Sequence, residues 1–176
     1  MANFDSNRWY QLYVNNHKNG MSLEGTNLYN NSIKGALLFH ATNTTRKAQK
    51  WQFYPVNTTT YVLRSELGGA NAFLSTKYEP TEEWEGHTQG LMVRGNISDD
   101  AVYWRVSPWG DGTFYMTNGA NWTAWHLKKK GNGLVVLDSN LTEPQDGQRW
   151  SFDPVEGADG AIDNQKFSTI DVSPTC

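Results

Sequence analysis

Three tryptophans open nearly the same phrase: Trp51-Gln-Phe-Tyr-Pro-Val56, Trp104-Arg-Val-Ser-Pro-Trp109 and Trp150-Ser-Phe-Asp-Pro-Val155. Each reads Trp, any residue, apolar, any residue, Pro, apolar. Period-two alternation fits a half-buried strand, and a proline four residues on fits the end of that strand. Each phrase is the last of four features that recur in one order. The first is Tyr10-Gln-Leu12, Tyr61-Val-Leu63 and Phe114-Tyr-Met116. Eleven residues after its last member comes an apolar anchor: Leu23, Leu74 and Leu127. A third apolar run follows as Ala36 to Phe39, Gly90 to Val93 and Gly133 to Val136. The tryptophan spacings are 53 and 46 residues, so the third copy is shortened where a surface loop absorbs the change cheaply.

Each copy therefore holds four short strands, twelve in all, with no helical pattern between them. Asn19-Gly20, Gly68-Gly69, Asn118-Gly119 and Asn132-Gly133 supply turn signals. Eight Trp, eight Tyr, seven Phe and 16 Gly belong to the same all-β vocabulary. A propeller needs more than three blades of this kind. Three four-stranded units that close one barrel make a β-trefoil, in which strands one and four of each unit line the barrel and strands two and three cap it. The repeats are expected at about 8–57, 58–109 and 110–156, forming a single domain over 1–156. Residues 157–176 fall outside them, as a tail laid on the barrel or the start of a linker. Trp51, Trp104 and Trp150 are expected to be buried about a pseudo-threefold axis. Leu12, Leu63 and Met116 should form one layer, closed by Leu23, Leu74 and Leu127.

The composition removes several function classes. With 15 basic and 18 acidic residues the net charge is −3, which provides no footprint for a phosphate backbone, so no nucleic acid is expected. No apolar run exceeds four residues, far short of the ~20 a membrane helix needs. The single cysteine, Cys176, leaves no internal disulfide framework. His17, His40, His87 and His126 are scattered without metal-ligand spacing, so no metal or other cofactor is expected. The acidic stretch Glu79, Glu82, Glu83, Glu85 reads as a solvated loop; a glycosidase's paired carboxylates come from separate rigid elements. No catalytic constellation emerges, and the chain is expected not to be an enzyme.

Gln49-Lys-Trp51 and Gln148-Arg-Trp150 resemble the Gln-any-Trp motif of the ricin B-type β-trefoil lectins and the carbohydrate-binding modules of family 13, and the low cysteine content resembles the fungal trefoils of this type. The middle copy departs from the motif as Val102-Tyr-Trp104. The resemblance spans residues 9 to 155. It implies a sugar pocket built in each repeat from an acid just after the second-strand anchor, an aromatic on strand three, an Asn shortly after it, and the motif's Gln. The first repeat supplies Glu24, Phe39 or His40, Asn43 and Gln49. Glu24 is longer by one methylene than the family's usual Asp. The second repeat offers Ser75, Val93 and Asn96 without a Gln; the third offers Lys128, Val136, Asn140 and Gln148. One such site is thus expected, for galactose- or N-acetylhexosamine-containing glycans. Removal of the Glu24 carboxylate should abolish binding with little effect on folding. On the residues alone, Phe39 also suits the core, Gln49 a turn, and Glu24 a solvated surface charge.

Two loops carry secondary candidates. Trp84 stands among charges in Glu79 to Gly86, and Trp122 lies in Asn121-Trp-Thr123; exposed loop aromatics serve as binding anchors or fold back over the barrel. The loop at 79–89 also opens a different class, a protein-interaction trefoil of the protease-inhibitor kind, and a trefoil whose sugar site has decayed is a third reading. Six Asn-x-Ser/Thr sequons, at Asn30, Asn43, Asn57, Asn96, Asn121 and Asn140, exceed the chance frequency. They point to an extracellular or cell-surface glycoprotein, with a cytoplasmic setting the alternative. A glycan on Asn43 would cover the first-repeat site.

Overall fold

A computed structural model describes residues 2–15, 20–29, 34–78, 88–94, 100–121, 125–139 and 144–170. The first repeat contains β1 (Tyr10–Val14), β2 (Met21–Gly25), the two-residue β3 (Lys34–Gly35), β4 (Leu37–Ala41) and β5 (Trp51–Pro55). The second contains β6 (Thr60–Ser65), β7 (Ala72–Tyr78), β8 (Thr88–Arg94) and β9 (Trp104–Pro108). The third contains β10 (Phe114–Asn118), β11 (His126–Lys129), β12 (Val135–Asp138) and β13 (Trp150–Pro154). Only short 3₁₀ turns interrupt the strands among the described residues, with no α-helix.

Strands one and four of each repeat pair in the order β13-β1-β5-β6-β9-β10, and β10 pairs with β13 again, so six strands close a barrel. The hairpins β2–β4, β7–β8 and β11–β12 cap one end. This is a β-trefoil, with β3 the only strand among the described residues beyond the twelve that the repeats foretell; it pairs with β8. Trp51, Trp104 and Trp150 are fully buried, as are Leu12, Leu63, Met116, Leu23, Leu74 and Leu127. The indole Nε1 of each tryptophan donates to the carbonyl of its own repeat's anchor, Leu23, Leu74 or Leu127, at 2.9 Å in all three cases. The anchor leucine thus fills the core with its side chain and accepts the indole proton with its backbone. Gly25 lets the first hairpin lie against Trp51, because a Cβ there would come within 2.6 Å of the indole.

The third strands align differently from the apolar runs in the sequence. Leu23 faces Phe39, Leu74 faces Met92, and Leu127 faces Leu137 across their hairpins. The inward layer is therefore Phe39, Met92 and Leu137, and the counterparts of Phe39 are not Val93 and Val136. The cause is visible in the third repeat, where Gly133 has φ +88° and belongs to the turn, so the strand starts at Val135. A one-residue slip in a strand exchanges the two faces. The outward partners of His40 are consequently Val93 and Asp138.

Two parts of the core have no repeat signature. Phe4 stacks parallel on Phe53 at 3.8 Å and meets the rings of Tyr10, Tyr61 and Phe152 edge-on at 5.3 Å, filling the barrel where the repeats supply Phe53, Val106 and Phe152. Residues 157–170 run back over the barrel wall. Phe167 meets Trp9 at 5.0 Å and joins Val155 and Ile162 in a satellite cluster. Arg64, 1% exposed, clamps this segment. Its guanidinium donates to Gln52 Oε1 (2.6 and 2.9 Å) and to the carbonyls of Phe167 (2.7 Å), Thr169 (3.1 Å) and Ala70 (3.2 Å). Gln52, directly opposite Arg64 on β5, donates to the carbonyls of Ser6 and Phe167. Burial lowers the Arg64 pKa to about 10, a shift partly opposed by Tyr54, so the group stays charged at neutral pH.

Two stability measurements check this account. Trp104→Ala is expected to cost ~3–5 kcal/mol in denaturant unfolding. Trp104→Phe should still cost about 1–3 kcal/mol, because the Leu74 carbonyl is then buried without its donor. Arg64→Met should destabilise by about 2–5 kcal/mol, since it strands the Gln52 and tail carbonyl acceptors, and amide exchange should accelerate first in residues 157–170. Unchanged protection there would mean the guanidinium does not hold the segment.

Candidate functional site

On the outward face of the first hairpin, Glu24 follows the Leu23 anchor and is 1% exposed. Its Oε1 accepts from Gln49 Nε2 at 3.1 Å and from Arg46 Nε at 2.5 Å; its Oε2 lies 2.7 Å from His40 Nδ1, which places the proton on that nitrogen. Gln49 is itself held from below. It donates to the Ala41 carbonyl at 3.0 Å and accepts from the Asn43 backbone N–H at 2.8 Å, with Gln11 Nε2 at 3.5 Å. The register explains the meeting: Glu24 faces Leu38, and His40 faces Ser22, so all four share the face that Leu23 and Phe39 leave. The 3₁₀ turn Lys47–Gln49 brings Gln49 beneath them. Arg46, just ahead of that turn, reaches over the carboxylate.

Of the residues expected in one pocket, Glu24, His40, Asn43 and Gln49 come together. Phe39 does not: it points to the opposite face, packs against the core and lies 6.2 Å from the ring of Trp150. The apolar side chain on the face of His40 is Leu38, 41% exposed. Asn43 is exposed, with its side-chain oxygen bound to the Thr45 amide at 3.0 Å and hydroxyl at 2.8 Å. The expectation that Glu24 is a surface carboxylate whose loss leaves folding untouched is corrected. It is a buried carboxylate with three partners, so its removal leaves Gln49 one buried acceptor short. Trp84, Trp122, Asn96, Asn140 and residues 79–87 lie outside the described residues. Sequence reasoning missed Arg46, a loop residue that no repeated motif marks, and Leu38, whose face within the run Ala36 to Phe39 only the cross-strand register fixes.

The other two repeats treat the same positions differently. In the second, Gln11, Ser22, His40 and Gln49 are matched by Val62, Phe73, Val93 and Val102, and these pack together as a small hydrophobic cluster. Among the described residues these four positions are apolar. In the third, Glu24 and His40 are matched by Lys128 and Asp138, whose Nζ and Oδ2 are 2.9 Å apart. The ion pair survives with its polarity inverted. Lys128 cannot accept the amide proton that Gln49 gives Glu24, and the buried Gln148 side chain has neither of its amide atoms hydrogen-bonded in good geometry. Nor has His126, fully buried at the position of Ser22.

Burial lowers the His126 pKa; the Gln148 amide and Asp138 oppose the shift, and Lys128 adds to it. The unfolded chain's imidazole takes up its proton near pH 6.5, above the folded one, so unfolding binds a proton in the interval between the two values. Stability held above about pH 6.5 is therefore lost as pH falls toward the folded value. A His126→Phe variant, with the residue type that Phe73 provides in the second repeat, should flatten the melting temperature between about pH 7 and 5.5. An acid loss as steep as the wild type's in that window would show that His126 is not its source.

No protein-family model matches the chain, and no curated protein matches it in sequence. Solved structures do. A designed threefold-symmetric protein, ThreeFoil, superposes with a TM-score of 0.62 at 17% identity, over 82% of this chain and 97% of that one. The Rhizoctonia solani agglutinin superposes with 0.61 at 15% identity, over 88% and 99%. The exo-β-1,3-galactanase 1,3Gal43A of Clostridium thermocellum superposes with 0.61 at 16% identity, over 86% of this chain and 31% of that one. At these identities the likeness is one of fold, and the fold is the β-trefoil.

Proposed function

We propose that this chain is a non-catalytic, lectin-like β-trefoil of the ricin B type that binds glycans through one site, on the first repeat. The observation that carries the reading is the Glu24 carboxylate, held by Gln49 at 3.1 Å and by His40 at 2.7 Å on the outward face of the hairpin. A sugar surrenders hydrogen bonds to water and must recover them from oriented groups. Here the orientation is fixed from beneath, through Gln49, the Asn43 backbone and the Ala41 carbonyl. Arg46 and His40 are about half exposed and reach solvent, so they meet the sugar hydroxyls first. Arg46 shares the carboxylate with the incoming hydroxyls; Leu38 and the His40 ring offer the apolar flank for the C–H face. The agglutinin likeness supports the class, and the resemblance of Gln49-Lys-Trp51 to the Gln-any-Trp motif supports the placement. The ligand class proposed is galactose- or N-acetylhexosamine-containing glycans, and the excess of sequons supports a setting outside the cell or on its surface.

A glycan array followed by calorimetry with galactosides and N-acetylated sugars tests this. Glu24→Gln, which keeps the shape and the acceptor for Gln49, should weaken binding at least ~10-fold and destabilise the fold by about 1–3 kcal/mol, as expected of one charged acceptor shared by half-exposed partners. Folded protein that stays silent across a broad panel would sink the proposal. Binding that Glu24→Gln leaves intact would move the site off the first repeat.

A further inference from the structure

The turn between β5 and β6 lies at the mouth of the barrel, away from the cap. β5 begins at Trp51, whose indole bonds to the first capping hairpin, and ends at Pro55, so the residues that follow sit at the opposite end. Residues 56–59 are exposed, and the Val56 and Asn57 amides donate to the Thr60 carbonyl at 2.8 and 3.4 Å. Within this turn Asn57 Oδ1 accepts from the Thr59 amide at 3.0 Å and from the Thr59 hydroxyl at 3.2 Å. The carbonyl end of the side chain is thereby tied down, while Nδ2 makes no hydrogen bond among the described residues. Asn57-Thr-Thr59 is one of the six sequons. Asn43 closes a similar turn on Thr45, but its backbone N–H is bound to Gln49, so that turn is part of the Glu24 network. The Asn57 turn takes no part in that network. Beside it a hollow of about 470 Å³ opens between β6 and β9. A volume above ~300 Å³ holds one sugar ring. Tyr61, Val106 and Pro108 give the hollow apolar wall, and Thr58 and Ser107 give it hydroxyls.

We infer that Asn57 is a site of N-glycosylation whose first N-acetylhexosamine lies in this hollow, so that the attached glycan covers the barrel's mouth. The inference rests on the extracellular setting proposed above, and not on the sugar site of the first repeat. The donor is an oligosaccharide linked through pyrophosphate to a lipid. A bond forms from Asn57 Nδ2 to the anomeric carbon, the bond from that carbon to the pyrophosphate oxygen breaks, and the lipid pyrophosphate leaves with the electron pair. The amide gives up one proton to solvent. Once attached, the ring needs an apolar wall for its C–H groups and acetamido methyl, and partners for its hydroxyls; the hollow supplies both within reach of the turn. The opposite end of the barrel, where Glu24 faces outward, stays uncovered.

The test is to secrete the intact chain from cultured eukaryotic cells and to release its glycans with a peptide N-glycosidase in heavy-oxygen water, which turns each modified Asn into a labelled Asp. Peptide mass spectrometry should find the label at Asn57 in most chains. Thr59→Val should abolish that label, and Thr59→Ser should keep it. For the seat, the glycan is trimmed to its first N-acetylglucosamine and the amide NMR spectrum is compared with that of fully deglycosylated chain. Displaced signals are expected at residues 58–61 and, across the hollow, at residues 105–107. Label at other sequons with none at Asn57 would overturn the inference and leave the extracellular setting standing. Label at no sequon would overturn the inference and take from that setting its support. Label at Asn57 with displaced signals confined to residues 56–60 would overturn the seat in the hollow. None of these outcomes touches the first-repeat reading, which the glycan array decides.

Discussion

An indole N–H bonded to a leucine carbonyl, three times at the same distance, holds each capping hairpin on the barrel. The bond joins strand four of a repeat to strand two, and the leucine beside it closes the core from above. Tryptophan is the only side chain that fills this volume and also carries a donor at its far edge. That pairing explains why the three copies keep Trp and Leu while nearly every polar position around them has changed. The scaffold is secured by groups that never reach the outer face, so the outer face is free to vary.

The three repeats use that freedom in three ways. The first builds a polar network around a buried carboxylate, and each of the three donors to it offsets part of the desolvation of the charge. The second fills the same positions with Val62, Phe73, Val93 and Val102 and gains a small apolar cluster of its own. The third reverses the ion pair and leaves the buried His126 and Gln148 side chains without a hydrogen bond of good geometry. At the positions of Glu24 and His40 the first and third repeats carry charge, whereas the second has Ser75 and Val93.

The fold was legible in the sequence because it repeats: the Trp phrase, the anchor eleven residues after the first strand, and the closing strand order all follow from residue types found three times. What does not repeat was not legible. Phe4 and Arg64 have no counterparts in other repeats, so nothing marked one as a barrel plug and the other as the clamp on residues 157–170. The register of the third strand is displaced by one residue, because the unbroken apolar run Leu134 to Leu137 hides the face that alternation would reveal. At the site, Glu24, His40, Asn43 and Gln49 could be named from the resemblance alone. The burial of Glu24 could not, since it depends on Arg46, a loop residue whose reach is set by a 3₁₀ turn.

The barrel seam pairs its first and last strands: Tyr10 lies opposite Pro154, and Val14 opposite Trp150. During synthesis β1 therefore has an unpaired edge until the third repeat has been made, and Phe4 has only part of its ring cage. Contacts of such long sequence separation form slowly, and open strand edges invite pairing with other chains. The two completed repeats wait as an unclosed, twisted sheet with apolar rings along its mouth. For this molecule the vulnerable moment is the interval before β13 emerges, so yield in a cell depends on how quickly the last repeat follows the second and on what shields the seam until then.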